Sequence, residues 1–304
     1  MDQFSVNILG CGSALPTGRH GLSGQVVNLR NKLYMIDCGE GSQLQMRRLK
    51  LNFNRLNHVF ISHLHGDHCF GIPGLLSTLG MLGRTADLTI FIHAEGENIL
   101  RATLNFFCKD LAYKVQIKTI SPTLHEKIYE DRSVEVYSIP LHHRIPTTGF
   151  LFREKQKEPN ILREMIDFYQ IPVKQISGIK KGDDFITPDG KVVPNNRLVV
   201  PATPSRSYAY CSDTMYSEEI VPFIKGVDLL YHESTFLEKD AARARETFHS
   251  TAKQAAEIAR RACVKQLILG HFSARYKKTE VFMAEAKSLF PNTILADDGI
   301  AISL

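Results

Sequence analysis

The segment His63-Leu64-His65-Gly66-Asp67-His68 limits this chain more than any other. It places four metal-ligating side chains within six residues, directly after the apolar run Val59–Ser62. Imidazole and carboxylate together suit a borderline cation such as zinc. On a tight loop, His63 and His65 can point to one metal while Asp67 and His68 turn to a second. A metal site needs ligands fixed in direction, and a strand end is a rigid support. The competing view is a solvated His-rich loop, which the spacing after a strand argues against.

Two metals need further ligands, and other strand ends offer them. Val134–Ile139 is followed by His142-His143, Ser207–Cys211 by Asp213, and Gln266–Leu269 by Gly270-His271. Ligand-type residues at several strand ends suit a site along one edge of a sheet. Further short apolar runs stopped by turn residues read as strands at Val6–Leu9, Lys32–Asp37, Leu88–His93, Val227–Tyr231 and Thr293–Leu295. Helices alternate with them. After Ser250, read as an N-cap, Ala252, Ala255, Ala256, Ala259 and Ala262 form a helical stripe. Strands and helices mixed over 304 residues, with no linker, predict one α/β body. Residues 153–197 stand apart, with nine Lys or Arg against seven Asp or Glu and a Pro-Asp-Gly turn at 188–190. They read as an inserted arm projecting from the body, with a helix over Ile161–Gln170.

Composition narrows the class. The net charge of +5 is too small to announce a nucleic-acid binder. The 6 cysteines are scattered without a CxxC pair, which predicts reduced thiols and a cytoplasmic protein. The start, Met1 to Asn7, lacks the basic and apolar regions of a signal peptide, and no apolar run is long enough to span a membrane. The 12 histidines are in excess of ordinary usage.

The HxHxDH loop, the later His, the Asp after a strand and the closing Gly-His resemble the metallo-β-lactamase superfamily. Five further stretches resemble its ribonuclease Z family. They are Leu9-Gly10-Cys11-Gly12-Ser13, Asp37-Cys38-Gly39-Glu40-Gly41, His143-Arg144-Ile145-Pro146 with Gly149-Phe150, His232-Glu233-Ser234-Thr235-Phe236, and His249-Ser250-Thr251-Ala252. The resemblance runs from about residue 5 to 300. It implies a four-layer αβ/βα sandwich with two zinc ions at one edge. One zinc is implied to take His63, His65 and His143, the other Asp67, His68 and His271, with Asp213 bridging. His143 is preferred to His142 because it precedes the Arg-Ile-Pro stretch.

The implied reaction is removal of the 3′ trailer from precursor tRNA. Hydroxide between the two cations attacks phosphorus in line, leaving a 3′-hydroxyl on the tRNA and a 5′-phosphate on the trailer. Asp67 is implied as general base and His249 as the group that protonates the leaving oxygen. Asp37 is expected to order the ligand loop. His232-Glu233 is either a relay or a buried structural pair. His20, His58, His93 and His125 match no ligand spacing. Cys69 and Cys211 lie beside presumed ligands, but the set is complete without them.

The 153–197 insertion stands where the family carries a tRNA-binding arm, and an arm acting across a subunit boundary implies a homodimer. Two stretches depart from the family pattern. Ile171-Pro172-Val173-Lys174 replaces a Gly-Pro element, and Pro16 to Gly21 replaces a Pro-x-Lys-x-Arg-Asn loop that handles the tRNA 3′ end. The rivals are a phosphodiesterase for small diesters or other RNA, a hydrolase of thioesters or lactones, and a non-enzymatic metal-binding homologue. A projecting basic arm argues against small substrates, and a complete ligand set argues against the last.

Overall fold

The computed structural model describes residues 3–304, so the first two residues of the N-terminal stretch lie outside it. Strands β1 (Phe4–Gly10), β2 (Gly24–Leu29), β3 (Lys32–Cys38), β4 (Leu56–Phe60), β5 (Leu88–His93) and β6 (Val115–Ile120) lie side by side in chain order. A second sheet is built in the same way from β7 (Lys127–Glu130), β8 (Val134–Leu141), β9 (Thr147–Glu154), β10 (Ser207–Cys211), β11 (Leu229–Glu233), β12 (Gln266–Gly270) and β13 (Thr293–Leu295). The last strand, β14 (Ala301–Ser303), returns to pair antiparallel with β1. Each sheet has seven strands.

Side-chain alternation decides which face each strand buries. Tyr34, Ile36, Phe60 and Phe91 face a core shared with Phe150, Phe152, Tyr208 and Tyr210 of the second sheet. Phe60 stacks on Phe91 at 4.6 Å and meets Phe152 edge-on at 5.6 Å. The alternate residues Leu33, Met35, Val59, Ile90 and Ile92 form a second core on the other face of the first sheet. Helix α1 (Ser42–Arg48), helix α3 (Ile72–Met81), which follows the one-turn helix α2 (Gly66–Cys69), and helix α4 (Ala94–Phe107) supply Met46, Leu75, Leu76, Leu79 and Leu100 to it. Each such fully buried side chain contributes about 1.5–3 kcal/mol.

Helices α5 (Arg163–Tyr169), α6 (Val173–Lys180) and α7 (Ala241–Glu246) come next in the chain, followed by α8 (Ala252–Arg261) and α9 (Glu280–Lys287). Helices α8 and α9 pack on each other, α8 against β11 and β12 and α9 against β13. The order helix, sheet, sheet, helix is the metallo-β-lactamase αβ/βα sandwich that the sequence implied. The alanine stripe of α8 is buried, as its spacing predicted. The cap differs. Thr251, not Ser250, is the N-cap, and it forms a capping box with Gln254. Ser250 instead donates its hydroxyl to the Thr214 carbonyl at 2.7 Å.

The chain divides into two compact units, one running to Arg153 and resuming at Arg206, the other being Glu154–Ser205. The smaller unit has its own core of Ile171, Ile179, Phe185, Val193, Leu198 and Val199. Its first helix is shorter than the spacing predicted. Ile161 pairs with Val199 in a small sheet, α5 begins at Arg163, and Gln170 adopts φ 50° just before Ile171-Pro172. Among the described residues no helix is long and apolar enough to cross a membrane.

Candidate metal centre

Polar side chains gather where several strands of both sheets end. Three residues turn their chain sharply there: Asp37 (φ 57°), Asp213 (φ 57°) and His271 (φ 59°). Left-handed backbone costs a non-glycine residue roughly 1–2 kcal/mol, so the surrounding structure must hold these bends. Two glycines make room for the ligand loop. A Cβ on Gly39 would meet the Asp67 carbonyl oxygen at 2.5 Å, and one on Gly71 would meet the Gly39 oxygen at 2.2 Å.

The ligand atoms form two groups. In one, His65 Nδ1 lies 2.9 Å from His63 Nε2 and 3.3 Å from His143 Nε2. In the other, Asp67 Oδ2 lies 3.5 Å from His68 Nε2 and 3.7 Å from His271 Nε2. Asp213 stands between them. Its Oδ2 is 3.6 Å from His63 Nε2 and 3.8 Å from His143 Nε2, and its Oδ1 is 3.2 Å from both His68 Nε2 and His271 Nε2. His63, His65, His143 and Asp213 thus converge within 4.8 Å, as do Asp67, His68 and His271. All seven residues singled out from the sequence are therefore brought together. His142, just past the end of β8, points away and pairs with Glu219 at 2.7 Å.

The donor set fits metal. His68 Nε2 and His271 Nε2 are buried without a hydrogen-bond partner, although Asp213 Oδ1 is near both. Orphaned buried nitrogens are costly unless something else occupies their lone pairs. The opposite ring nitrogens are held by partners that fix ring direction. His63 Nδ1 meets Ser62 Oγ at 3.0 Å, His68 Nδ1 meets Asp37 Oδ2 at 2.7 Å, His143 Nδ1 meets the Phe248 carbonyl at 3.0 Å, and His271 Nδ1 meets Thr235 Oγ1 at 2.9 Å. Asp37 also accepts from Ser62 N, Ser62 Oγ and Tyr210 OH, at 2.7, 2.8 and 2.7 Å.

Protonation follows burial and neighbours. Burial pushes His63, His65 and His143 down toward the neutral form, and His68 adds to this at His63. Burial alone would raise Asp213 and Asp67, but the facing histidines hold both carboxylates below their usual range. His68 is raised: burial opposes its charge, but Asp213 and Asp37 outweigh it. A cation at Nε2 would replace that proton.

His249 lies beside the groups, its ring 5.0 Å from His143 and 5.4 Å from His271. Its Nδ1 contacts Glu233 Oε1 at 2.7 Å. Glu233 is fully buried and also accepts from the N–H groups of Thr214, Thr235 and Ser250 and from Thr235 Oγ1. Burial opposes charge on His249, but Glu233 raises its pKa to about 9. His232 is no relay partner. It sits on the opposite face of β11 from Glu233, and among the described residues its ring is hydrogen-bonded at Nδ1 to the Glu233 main-chain oxygen, at 2.8 Å, and not at Nε2. Ser62, Tyr210 and Thr235 escaped the sequence reading. Thr235 had a signal, two residues beyond Glu233 in the quoted His-Glu-Ser-Thr-Phe stretch.

Two family models match the chain, one described as "Anti-Pycsar protein Apyc1" over residues 4–156 and one as "Beta-lactamase superfamily domain" over residues 170–272. Ribonuclease Z of Parabacteroides distasonis is 60% identical over 304 residues, covering 100% of both chains. Ribonuclease Z of Porphyromonas gingivalis strain W83 is 56% identical, again covering 100% of each. The chain belongs to the ribonuclease Z family. Its fold also matches the crystal structure of the short form of human tRNase Z, with a TM-score of 0.70, 24% identity and 98% of each chain covered. The ribonuclease Z relatives thus share the whole length of the chain, including residues 154–205.

Proposed function

We propose that this chain is a zinc-dependent endoribonuclease that removes the 3′ trailer from precursor tRNA. The observation that carries the reading is the pair of ligand groups with Asp213 reaching both, in a chain 60% identical to a ribonuclease Z from end to end. His63, His65 and His143 would hold one zinc, Asp67, His68 and His271 the other, with Asp213 shared. Such a pair of ions supplies positive charge against the oxygens of the phosphodiester and lowers the pKa of water.

The chain's own residues do the rest. Asp67 orients the attacking water and takes its proton. His249, with Nδ1 held by Glu233, has Nε2 left to give a proton to the departing ribose 3′-oxygen. The bond between phosphorus and that oxygen breaks, so the tRNA keeps a 3′-hydroxyl and the trailer a 5′-phosphate. Residues 154–205 serve as the tRNA-binding arm. Contacts from Lys and Arg to phosphate suit recognition of RNA shape. The working form is a homodimer. Every cysteine is unpaired, which suits a cytoplasmic enzyme.

The test is metal removal on the purified protein. Chelation should abolish cleavage of a precursor tRNA, zinc should restore it, and elemental analysis should find two zinc per chain. Asp67→Ala should lose activity, and His249→Ala should lower turnover about 10²–10⁴-fold with its zinc retained. Full cleavage in chelator would overturn the reading.

A further inference from the structure

Among the described residues the Asp67 carboxylate has one hydrogen-bond partner outside the ligand groups. Ala14 donates its backbone N–H to Asp67 Oδ2 at 2.9 Å, the same oxygen that faces His68 and His271. Ala14 sits at φ 57°, a left-handed position that a non-glycine residue keeps only under constraint. Gly12 and Ser13, just before it, pair with Phe272 and Ser273, and a further constraint lies at the base of its loop. Gly12 N bonds the Gly21 carbonyl at 2.9 Å and closes residues 12–21 into a neck. One carboxylate then ties both sides of that neck: Asp298 accepts the Cys11 N–H at 3.2 Å on Oδ1 and the Gly21 N–H at 2.7 Å on Oδ2. Cys11 Sγ and Gln45 Nε2 add longer contacts, each at 3.5 Å. Asp298 itself is anchored just beyond β13, where Ala296 N bonds the Leu269 carbonyl and Gly299 N bonds the Ile8 carbonyl, both at 2.8 Å.

We propose that Asp298 is a positioning residue that sets the Asp67 carboxylate through the loop 11–21. The inference rests on the role given to Asp67 above. Asp298 touches no reacting atom. It holds the neck, the neck holds Ala14 in its left-handed conformation, and the Ala14 N–H fixes which oxygen of Asp67 turns to His68 and His271. Without the clamp the loop relaxes, Ala14 leaves the strained conformation, and Asp67 becomes free to rotate about its Cβ–Cγ bond. Asp297, the neighbour in sequence, grips the same loop farther from Ala14, at His20 Nε2 (3.1 Å) and Arg19 (3.7 Å), and its Oδ1 also accepts the Asp298 N–H at 3.1 Å. The matched control is Asp228, a carboxylate just before β11 that accepts the Ser207 N–H at 2.7 Å and touches neither the loop nor the ligand groups.

The experiment compares zinc-loaded wild type, Asp298→Ala, Asp298→Asn and Asp228→Asn. Steady-state kinetics are measured on a precursor tRNA and on bis(p-nitrophenyl) phosphate, and zinc release into a chelator is followed with time. Both Asp298 variants should lose about 10–100-fold in kcat on both substrates, with KM for the precursor within about threefold of wild type. One of the two zinc ions should leave faster, while Asp228→Asn behaves as wild type. Wild-type kcat and zinc release in Asp298→Asn would overturn the proposal. So would a loss confined to KM for the precursor, which would mean the loop acts on RNA directly, or an equal loss in Asp228→Asn. A wild-type protein inert toward the precursor but active on the small diester would instead count against the proposed function.

Discussion

At the scale of residues, the site works by committing side chains in pairs. Each of four histidines spends one ring nitrogen on a fixed partner, and the other converges on Asp213 or Asp67. The cluster at 63–68 was legible because four ligands within six residues have little other use. His143, Asp213 and His271 were legible only as lone residues after strand ends. Ser62, Tyr210 and Thr235 were not legible, since hydroxyl residues are common and their roles arise only when distant strands meet. Histidines outside the site differ in kind. His58 packs against Tyr129 at 4.1 Å, and burial lowers its pKa to about 4. A histidine held neutral in the folded state lets the unfolded chain bind the extra proton between pH 4 and 6.5. Stability should therefore be full above pH 6.5 and fall toward pH 4, by about 2–3 kcal/mol from this residue. Urea unfolding should show a flatter pH dependence for His58→Phe over that range, and an unchanged slope would remove the assignment.

At the scale of elements, buried strands announced themselves and edge strands did not. Leu88–His93, Ser207–Cys211 and Thr293–Leu295 match the sequence reading in both ends. β6 and β7 lie at the sheet edges, where solvent accepts residues such as Gln116, Lys118, Lys127 and Glu130, so their apolar signal is weak. β9 carries Gly149 because a Cβ there would meet the Tyr210 carbonyl oxygen at 2.5 Å, and that glycine hides the strand. The α8 stripe was plain, but which hydroxyl caps it was not, because Ser250 and Thr251 are equivalent in sequence. The structure gives the cap to Thr251. Thr251→Ala should cost about 1 kcal/mol and lower the Tm by about 2–4 °C. Ser250→Ala should weaken the link to Thr214 without unwinding the first turn, a difference that amide exchange over residues 252–255 would detect.

At the scale of the whole molecule, the charge of +5 says little, whereas the division into units says more. Arg153 and Ser207 are register partners in neighbouring antiparallel strands, so Glu154–Ser205 leaves and re-enters the larger unit at adjacent points. Replacing those residues by a short turn should therefore spare the larger unit's cores. It should reduce cleavage of precursor tRNA by at least about tenfold more than hydrolysis of bis(p-nitrophenyl) phosphate. Equal losses on both substrates would remove the arm's role in recognition. Incubating one precursor tRNA with the zinc-loaded protein and mapping both new ends decides whether the protein is a tRNA 3′-processing endonuclease. A single cut is expected on the 3′ side of the discriminator nucleotide, with a 3′-hydroxyl on the tRNA and a 5′-phosphate on the trailer. Cleavage elsewhere, or a phosphate left on the tRNA, would contradict it.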